Sequence, residues 1–552
     1  MSEQTTVGEV IVAFLEQCGV GMAFGVISIH NMPILDAIGR RNKMRFIMAR
    51  GEAGATNMAD GYARVGNRLG VTITSTGTAA GNAAGAMVEA LTAGSSVLHI
   101  TGQIETAYLD QQRAYIHEAH KQLDMLKAVS KTAYRVLTPE TALPILKQAV
   151  RDAMTAPTGP VSVEIPIDIQ QAKIAWPADL SPLPILTSQP SEATLQRLAD
   201  ALAQAKRPLL WLGGGARHAG EAVKRLAEMG FGIITSVQGR GVLPEDHPQS
   251  LGAFTTQASV EALYQTCDAM LVAGSRLRGN ETLKYHVKLP KPLYQIDADP
   301  LTENRSYPVE QMVCGDSALA LDYLADALQG RMQIDAKFAD DLATARLGAE
   351  QEIISGLGPY EPLVASLQKA LGRDFNWVRD ITLSNSIWGN RLLKIFAPYD
   401  GVHALGGGIG QGMQMGIGAA LARPERKTVA LIGDGGFYVN LGELATAVQE
   451  QAPVVMLVMN DRRYGVIKNI QDSTYGGRHY FTELHTPDFG ELAKTMGLGF
   501  VRLEDMSQVD AALQQALAMT GPVLMEVDMT RIGPFAKAFA GPPVRKKAEQ
   551  VE

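Results

Sequence analysis

The feature of the sequence that most constrains the fold is a repeated alternation of short apolar segments and longer helical patterns. Segments such as Gly70–Ser75, Pro208–Leu212 and Pro453–Asn460 consist mainly of β-branched and other apolar residues. Uninterrupted apolar runs of this length are typical of strands buried on both faces, as in parallel sheets. Because helical patterns separate the runs, the sequence predicts an α/β protein with doubly wound parallel sheets.

The alternation occurs in three blocks. The segment 175–191, which contains four prolines, follows the first block, and Gly356-Leu357-Gly358-Pro359 precedes the third. At about 150 residues per domain, a chain of 552 residues has room for three or four domains. We therefore predict three domains, over residues 1–185, 190–335 and 355–552, the last ending in a C-terminal tail.

Composition argues against several classes of protein. The chain has 50 Lys and Arg against 57 Asp and Glu, a net charge of -7, and no basic cluster that could follow a phosphate backbone. Its apolar runs are too short to span a bilayer, and its N-terminus lacks the pattern of a signal peptide. Three widely spaced cysteines do not suit a disulfide framework or a cysteine metal site. We expect a cytoplasmic protein without a nucleic-acid or membrane partner.

The third block contains the motif with the clearest chemistry. Gly433-Asp434-Gly435 is followed by 24 residues, 436–459, and then by Asn460-Asp461. The intervening residues fit a helix and a returning strand, so the two acidic residues should meet at the carboxyl edge of one sheet. Two carboxylates at that edge, with diphosphate oxygens and water, would suit octahedral Mg²⁺. Each half of the motif alone would more simply be read as an ordinary turn.

This spacing resembles the fingerprint of thiamine diphosphate-dependent enzymes. Nearly the whole chain resembles the group that contains acetohydroxyacid (acetolactate) synthase, benzoylformate decarboxylase and pyruvate oxidase. The resemblance implies a pyrimidine-binding, a central and a diphosphate-binding domain, with thiamine diphosphate and Mg²⁺ as cofactors. It also implies that Asp434, Asp461 and the backbone carbonyl of Arg463 bind the metal. The family usually has Asn where this chain has Asp461, which adds one negative charge.

A second anchor lies in the first block, at Arg50-Gly51-Glu52. On the residues alone, Glu52 is a favourable charge in a first helical turn. The resemblance implies that it is the catalytic glutamate, which hydrogen-bonds the pyrimidine ring of the cofactor and so activates it as its own base. It further implies that Glu52 acts on the cofactor of another subunit. The expected assembly is at least a homodimer, and a homotetramer is common in the family.

Other glycine-rich and strand-end segments match the cofactor loops of the family. The resemblance implies that Ile409 forces the cofactor into its bent shape and that the Gly407 carbonyl accepts from its amino group. Ser384 and Asn385 follow a predicted strand, Ile381–Leu383. The full set of predicted cofactor contacts is Glu52, Ser75, Gly77, Asn82, Ser384, Asn385, Gly407, Ile409, Gly433, Asp434, Gly435, Gly436, Asp461, Tyr464, Gly465, Val466 and Ile467.

The residues that would act on the substrate are less sharply defined. His30 lies where benzaldehyde lyase has a histidine, and it is a candidate proton carrier or, alternatively, a capping or exposed residue. His117, His120 and Gln112 lie near the segment where acetohydroxyacid synthases have Phe-Gln-Glu, and are further catalytic candidates; the alternative is a solvated helix over Ala119–Lys127. Val466 and Ile467 predict a small or apolar donor side chain.

The favoured function is a carboligase or lyase acting on a 2-oxo acid, like acetolactate synthase, through addition of the cofactor ylid, loss of CO2 and transfer of the acyl unit. The alternatives are a simple 2-oxo acid decarboxylase and a lyase of 2-hydroxy ketones. A redox protein that binds FAD or NAD is the rival from another class. Glycine turns at 213–217 and 274–276 resemble nucleotide-binding turns. FAD in the central domain is nevertheless less favoured than an empty domain.

Overall fold

The computed structural model describes residues 4–541 and contains three parallel β-sheets, each flanked by helices. This architecture confirms the predicted α/β fold with doubly wound sheets. The part of the predicted C-terminal tail beyond residue 541 lies outside the described residues. Over 4–541, no helix has both the length and the apolar character needed to cross a membrane.

The first sheet has the strand order β3-β2-β4-β5-β7-β6, and the short strands β1 and β8 pair antiparallel beside it. The strands are β1 (Gln4–Thr6), β2 (Met22–Gly25), β3 (Arg45–Met48), β4 (Gly70–Thr74), β5 (Val97–Gln103), β6 (Thr132–Arg135), β7 (Val161–Pro166) and β8 (Lys173–Ala175). The helices are α1 (Val7–Gln17), α2 (Met32–Arg41), α3 (Glu52–Gly66), α4 (Thr78–Ala93), α5 (Gln122–Val129), α6 (Ala142–Met154) and α7 (Ile167–Gln171).

The second sheet has five strands in the order β10-β9-β11-β12-β13. They are β9 (Pro208–Leu212), β10 (Gly232–Thr235), β11 (Ala269–Ala273), β12 (Leu293–Asp297) and β13 (Gln311–Cys314). Helices α8 (Glu192–Leu202), α9 (Gly220–Glu228), α10 (Ala258–Tyr264) and α11 (Ser317–Leu328) accompany them, and α12 (Phe338–Ile354) leads to the third sheet.

The third sheet has the order β15-β14-β16-β17-β19-β18. Its strands are β14 (Phe375–Arg379), β15 (Gly401–His403), β16 (Lys427–Gly433), β17 (Val454–Asn460), β18 (Gly499–Leu503) and β19 (Val523–Asp528). Its helices are α13 (Glu361–Leu371), α14 (Gly412–Ala422), α15 (Asp434–Val439), α16 (Glu443–Gln449), α17 (Gly465–Thr474), α18 (Phe489–Met496), α19 (Val509–Ala518) and α20 (Met529–Ile532).

The first and third sheets share one topology. In each, the chain starts inside the sheet, pairs outward once, and then returns to the other side of the first central strand. The strand order therefore reverses between β2 and β4 and between β14 and β16. Doubly wound sheets bind ligands at the carboxyl ends of the strands at such reversals. The central sheet reverses in the same way between β9 and β11, so the fold places three candidate ligand edges in the chain before any side chain is considered.

One predicted strand is wrong. The apolar run Ile381–Leu383 was expected to be a strand, but β14 ends at Arg379. The carboxylate of Asp380 accepts a hydrogen bond from the backbone N–H of Ile381 at 2.8 Å, which turns the chain out of the sheet. Ser384 and Asn385 therefore lie in a helical turn that follows the strand rather than at its end.

Helices α3 and α14 join the first and third domains through a close crossing. A Cβ placed on Gly61 would lie 2.2 Å from the backbone oxygen of Met415, and one on Gly418 would lie 2.0 Å from that of Met58. The side chains around the crossing form one buried cluster drawn from both domains. Glycine at both positions is therefore required for the two backbones to approach this closely.

Gly418→Ala is expected to lower the free energy of unfolding by about 3 kcal/mol, because the added methyl group meets backbone rather than a movable side chain. The measurement is urea-induced unfolding of the purified chain. The matched control is Gly39→Ala, at an exposed position of α2 with no atom within 4 Å of the added Cβ, where alanine should stabilise the helix by about 0.5 kcal/mol. Equal unfolding midpoints for the two variants would contradict the proposed steric role of Gly418.

Candidate active site

Two neighbouring strands bring a pair of carboxylates together at the edge of the third sheet. Strands β16 and β17 pair in parallel and end at Gly433 and Asn460, so that Asp434 and Asp461 follow at the same edge. Asp434 is the first residue of α15, and nearby backbone N–H groups of Gly435, Arg462 and Arg463 act to lower the pKa of its carboxyl group. Its Oδ2 atom is buried and has no hydrogen-bond partner among the described residues.

The electrostatics of this pair suit a cation. Burial raises the pKa of both carboxyl groups, and the charge of Asp461 raises that of Asp434 further. Within residues 4–541, no group of three or more His, Cys, Asp or Glu side chains is arranged to hold a metal. The candidate donors are therefore two carboxylates, one with an unpartnered oxygen, and the Arg463 carbonyl stays a predicted third ligand. Such oxygen donors fit Mg²⁺, which completes its shell with water and phosphate oxygens.

Glycines beside this pair leave room that a side chain would fill. A Cβ on Gly465 would lie 2.5 Å from Asp461 Oδ2, and one on Gly435 would lie 2.6 Å from the ring of Tyr464. A Cβ on Gly433 would lie 2.8 Å from Thr382 Oγ1. The residues of α17 that were predicted to contact the cofactor are accessible to solvent. Ile467 is 49% exposed, and the helix buries none of its residues.

Ser384 and Asn385 supply unpaired polar atoms to the same domain. Both residues are buried, and Ser384 Oγ and Asn385 Oδ1 have no hydrogen-bond partner in the described part of the chain. Buried polar groups without partners are rare and call for an explanation such as an absent ligand. The Ser384 and Asn385 atoms are therefore consistent with the predicted role of these residues in binding a diphosphate.

Asp380 is a site residue that the sequence reasoning missed. Its carboxylate is fully buried and accepts from the backbone N–H of Gly410 at 2.9 Å, so that it holds the loop carrying Gly407 and Ile409. A Cβ on Gly436 would lie 2.5 Å from Asp380 Oδ2. Burial raises the pKa of Asp380 to about 6. The available signal was an acidic residue directly after a strand, which the misplaced strand obscured.

The glycine loop held by Asp380 has the form that its predicted role requires. Gly407 and Gly410 have φ values of 85° and 80°, in the left-handed region that favours glycine. Between them, Ile409 projects with 38% of its surface exposed. An apolar side chain held out on a constrained loop is consistent with the wedge that the resemblance implied.

Glu52 lies at the edge of the first sheet. It is the first residue of α3, and Asn82 Nδ2 donates a hydrogen bond to its Oε2 at 3.0 Å. Asn82 belongs to α4, which begins after Ser75 and Gly77 at the end of β4. The structure thus brings the predicted residues of this loop and Glu52 together. Over residues 4–541, no hydrogen bond or ion pair joins Glu52 to Asp434 or Asp461.

His30 and His117 form a pair beside this edge. Their ring centroids lie 5.1 Å apart at an interplanar angle of 72°. His30 is 6% exposed, whereas His117 is exposed. Burial and the charge of His117 lower the pKa of His30, and Glu105 opposes that shift in part. The lowered pKa favours the neutral form of His30, and the ring packs against a histidine that reaches solvent.

Gln112 and His120 are exposed in the loop between β5 and α5. Of the alternative helix over Ala119–Lys127, residues 122–127 are helical and belong to α5, whereas residues 119–121, with His120, lie in the irregular loop. Gln122 itself is buried and accepts from the backbone N–H of Gly77 at 2.7 Å. Gln122 therefore supports the loop that contains Gly77. The catalytic role of Gln112 and His120 stays a prediction.

A cavity of about 460 Å³ lies between the central and first domains. The two predicted glycine turns line it, together with Arg276 and Asp297 at strand ends of the central sheet. The first domain contributes Arg64 and Arg68. The cavity has glycine turns and charged groups of both signs, which is a suitable lining for a nucleotide. FAD in this cavity stays a prediction.

Comparison with known proteins identifies the class of enzyme. Residues 5–127 match the N-terminal TPP binding domain of thiamine pyrophosphate enzymes, residues 195–324 the central domain, and residues 384–527 the C-terminal TPP binding domain. The chain therefore belongs to the thiamine diphosphate-dependent enzymes, as its motifs indicated.

Individual relatives cover almost the whole chain. The chain is 30% identical over 533 residues to the probable 2-ketoarginine decarboxylase AruI of Pseudomonas aeruginosa, an alignment that covers 95% of this chain and 94% of that protein. It is 26% identical over 552 residues to the probable acetolactate synthase large subunit of Methanocaldococcus jannaschii, covering 94% and 91%. Chloroplastic acetolactate synthase 1 of Oryza sativa is 27% identical over 546 residues, covering 94% of this chain and 84% of that protein.

Proposed function

We propose that this thiamine diphosphate-dependent enzyme decarboxylates a 2-oxo acid with the help of Mg²⁺ and releases the remaining carbons as an aldehyde. The observation that carries the proposal is the contact between buried His30 and exposed His117. Release as an aldehyde requires a proton at the reacting carbon, and a pair of imidazoles that connects the interior to solvent can deliver one.

Each of the other site residues has a stated task in this proposal. When bound, thiamine diphosphate supplies the nucleophilic carbon that adds to the keto group and accepts the electron pair left by CO2. Asp434, Asp461 and the Arg463 carbonyl would hold Mg²⁺ and, through it, the diphosphate. Glu52 would hold a proton at the pyrimidine ring nitrogen, and Asn82 orients the Glu52 carboxyl by its hydrogen bond.

Ligation to a second carbonyl compound is the second candidate. The open apolar surface of α17, with Ile467 half-exposed and no residue buried, leaves room for an acceptor beside the reacting carbon. Relatives named acetolactate synthase support this outcome. Both candidates share decarboxylation and differ only in whether a proton or a carbonyl carbon is added afterwards.

The test is a substrate panel on the chain reconstituted with Mg²⁺ and thiamine diphosphate. The panel contains pyruvate, benzoylformate, 5-guanidino-2-oxopentanoate (the 2-ketoarginine of the relative's name) and a 2-hydroxy ketone, with CO2, aldehydes and ligation products measured together. We expect CO2 from at least one 2-oxo acid, with aldehyde as the main product. His30→Ala should lower aldehyde release by about a hundredfold, the usual contribution of a positioned acid or base.

His120→Ala is the matched comparison, because His120 is exposed in the same loop as His117. A larger effect from His120→Ala than from His30→Ala would contradict the assignment of the imidazole pair. Absence of CO2 from every 2-oxo acid, with cleavage of the hydroxy ketone instead, would replace the proposal by the lyase reaction.

We also propose that the active assembly is a homodimer or a dimer of dimers. Apolar side chains near the site residues of the first and third domains are exposed in the single chain. Ile29 is 64% and Met32 47% exposed next to His30, and Val439 is 51% exposed next to the loop of Ile409. Exposed apolar residues concentrated near incomplete sites are typical of subunit interfaces. A second subunit would cover them and bring Glu52 to a cofactor held by another chain.

A further inference from the structure

Glu443, the first residue of α16, reaches from the third domain to the segment that leads into Glu52. Its Oε1 atom accepts hydrogen bonds from the backbone N–H groups of Arg50 and Gly51, both at 3.0 Å. Its Oε2 atom accepts from the hydroxyl of Thr446 at 2.6 Å. The residue is 2% exposed. A buried side chain of one domain thus fixes backbone groups of another, one and two residues before the predicted catalytic glutamate.

The contact replaces a local interaction that the sequence of α3 lacks. Gly51 is the N-cap of this helix, and in a capping box the third helical residue is a Glu or Gln that reaches back to the N-cap N–H. In α3 that third residue is Gly54, which has no side chain. A Cβ on Gly54 would lie 2.1 Å from Glu443 Oε1. The carboxylate of Glu443 therefore occupies the space, and makes the hydrogen bond, of the missing side chain.

The carboxyl group of Glu443 is buried although its burial costs free energy. Desolvation raises the pKa of Glu443, and the Thr446 hydroxyl, the two backbone N–H groups and the charge of Arg50 oppose the shift. The Arg50 guanidinium does not pair with it, since its donors reach the carbonyl of Met48 and the side chain of Gln449. Burying a carboxylate costs free energy unless hydrogen bonds or an opposite charge offset the loss of water. Here the hydrogen bonds hold one short piece of backbone.

We propose that Glu443 is a positioning residue: by holding the backbone at Arg50 and Gly51, it fixes the orientation of Glu52 at the start of α3. The inference rests on the proposed role of Glu52 as the group that activates the cofactor. Asp434 lies nine residues before Glu443 in the chain, at the start of α15. The segment from Asp434 to Glu443 thus begins at the proposed metal site and ends at the backbone that supports Glu52.

The first test measures the hydrogen bonds themselves, in the cofactor-free chain. Glu443→Leu removes both acceptors, and the amides of Arg50 and Gly51 should exchange with deuterium at least about tenfold faster. Glu443→Gln keeps an amide oxygen that can accept both N–H groups, so it should restore most of the protection. Glu450→Gln is the matched control: it alters a carboxylate that pairs with Arg45 at the end of α16, and it should leave both amides unchanged.

The second test asks whether Glu443 acts through Glu52. In the reconstituted enzyme, Glu443→Leu should slow exchange of the thiazolium C2 proton by about tenfold, whereas Glu443→Gln should change it little. In a Glu52→Gln background, the same Leu substitution should have no additional effect. Full additivity of the two substitutions, or unchanged amide protection in Glu443→Leu, would overturn the inference. If Glu52→Gln alone left C2 exchange unchanged, the proposed function of Glu52 would fail instead.

Unfolding midpoints separate positioning from loss of structure. Because Glu443→Gln keeps the contact, a normal midpoint with normal amide protection and normal C2 exchange supports the proposal even if Glu443→Leu is unstable. A Glu443→Gln variant that folds, keeps both protected amides and still loses C2 exchange would show that the charge of Glu443, and not its positioning of the backbone, is what matters.

Discussion

Replacement of Glu52 by Gln is expected to slow exchange of the C2 proton of bound thiamine diphosphate by about a thousandfold, within the range usual for a lost general acid or base. The physical reason is that an amide cannot hold an exchangeable proton between its oxygen and the pyrimidine nitrogen as a carboxyl group can. Gln fills the same volume and can still meet Asn82, which donates to Glu52 at 3.0 Å in the native chain. The measurement is hydrogen–deuterium exchange of the reconstituted enzyme, quenched in acid and followed by NMR.

Cofactor affinity is the control for this prediction. Glu52 belongs to the first domain, and the proposed metal and diphosphate ligands belong to the third, so Glu52→Gln should bind thiamine diphosphate with nearly native affinity. Normal binding together with normal C2 exchange would remove Glu52 from the mechanism. Loss of binding would instead show that Glu52 contributes mainly to holding the cofactor.

Substitution of Asp434 by Ala is expected to lower the Mg²⁺-dependent affinity for thiamine diphosphate by about a hundredfold or more, which corresponds to about 3 kcal/mol. It removes the unpartnered Oδ2 atom and one of the two carboxylates proposed to hold the metal. Isothermal titration calorimetry with and without Mg²⁺ provides the measurement. The native chain should bind the cofactor only when Mg²⁺ is present.

Asp461→Asn provides the matched control. It converts this position to the residue that is usual in the family, keeps an oxygen ligand and removes one charge, so Mg²⁺-dependent binding should survive. If Asp434→Ala bound thiamine diphosphate with native Mg²⁺-dependent affinity, Asp434 would not be a ligand of the metal. Tight NAD binding with no binding of thiamine diphosphate would contradict the membership shown by the three matching domains.

Glu52→Gln and Asp434→Ala, combined in one dimer, test whether Glu52 acts across subunits. If it does, a mixed dimer of one Glu52→Gln chain and one Asp434→Ala chain contains one site with neither substitution. Co-expression of the two chains should then restore up to half of the native decarboxylation per mixed dimer, although each variant alone should have very low activity. No restored activity in isolated mixed dimers would place Glu52 and Asp434 of the same chain in one site.

Much of the fold could be predicted because buried parallel strands are recognisable from sequence. Pro208–Leu212 is a strand with the predicted bounds, since it is an apolar run with no competing signal. Strand β14 was missed because its buried residues include Asn376 and Arg379, which do not resemble a core strand. The more apolar run Ile381–Leu383 was chosen instead, and only the hydrogen bonds of Asp380 show why it leaves the sheet.

The contacts between domains could not be predicted in the same way. Glu443 meets Arg50 across 393 positions, and Glu89 accepts from the backbone N–H of Leu405 across 316. Neither glutamate lies in a motif, and each would be expected on a solvated helix face. Both are buried because the crossing of α3 and α14 brings the domains together, which no local pattern encodes. The pairing of His30 with His117 depends in the same way on a loop without regular structure.

The exposure of α17 has a consequence for altering the enzyme. This helix buries none of its ten residues, whereas α14 buries ten of eleven. Substitutions at Val466, Ile467 and Ile470 in variant libraries therefore change side chains that contribute little to the stability of the chain. Directed evolution of the acceptor or donor range can begin on α17 with most variants still folded. The same number of changes on α14 would exhaust the stability margin of the protein before any new selectivity appeared.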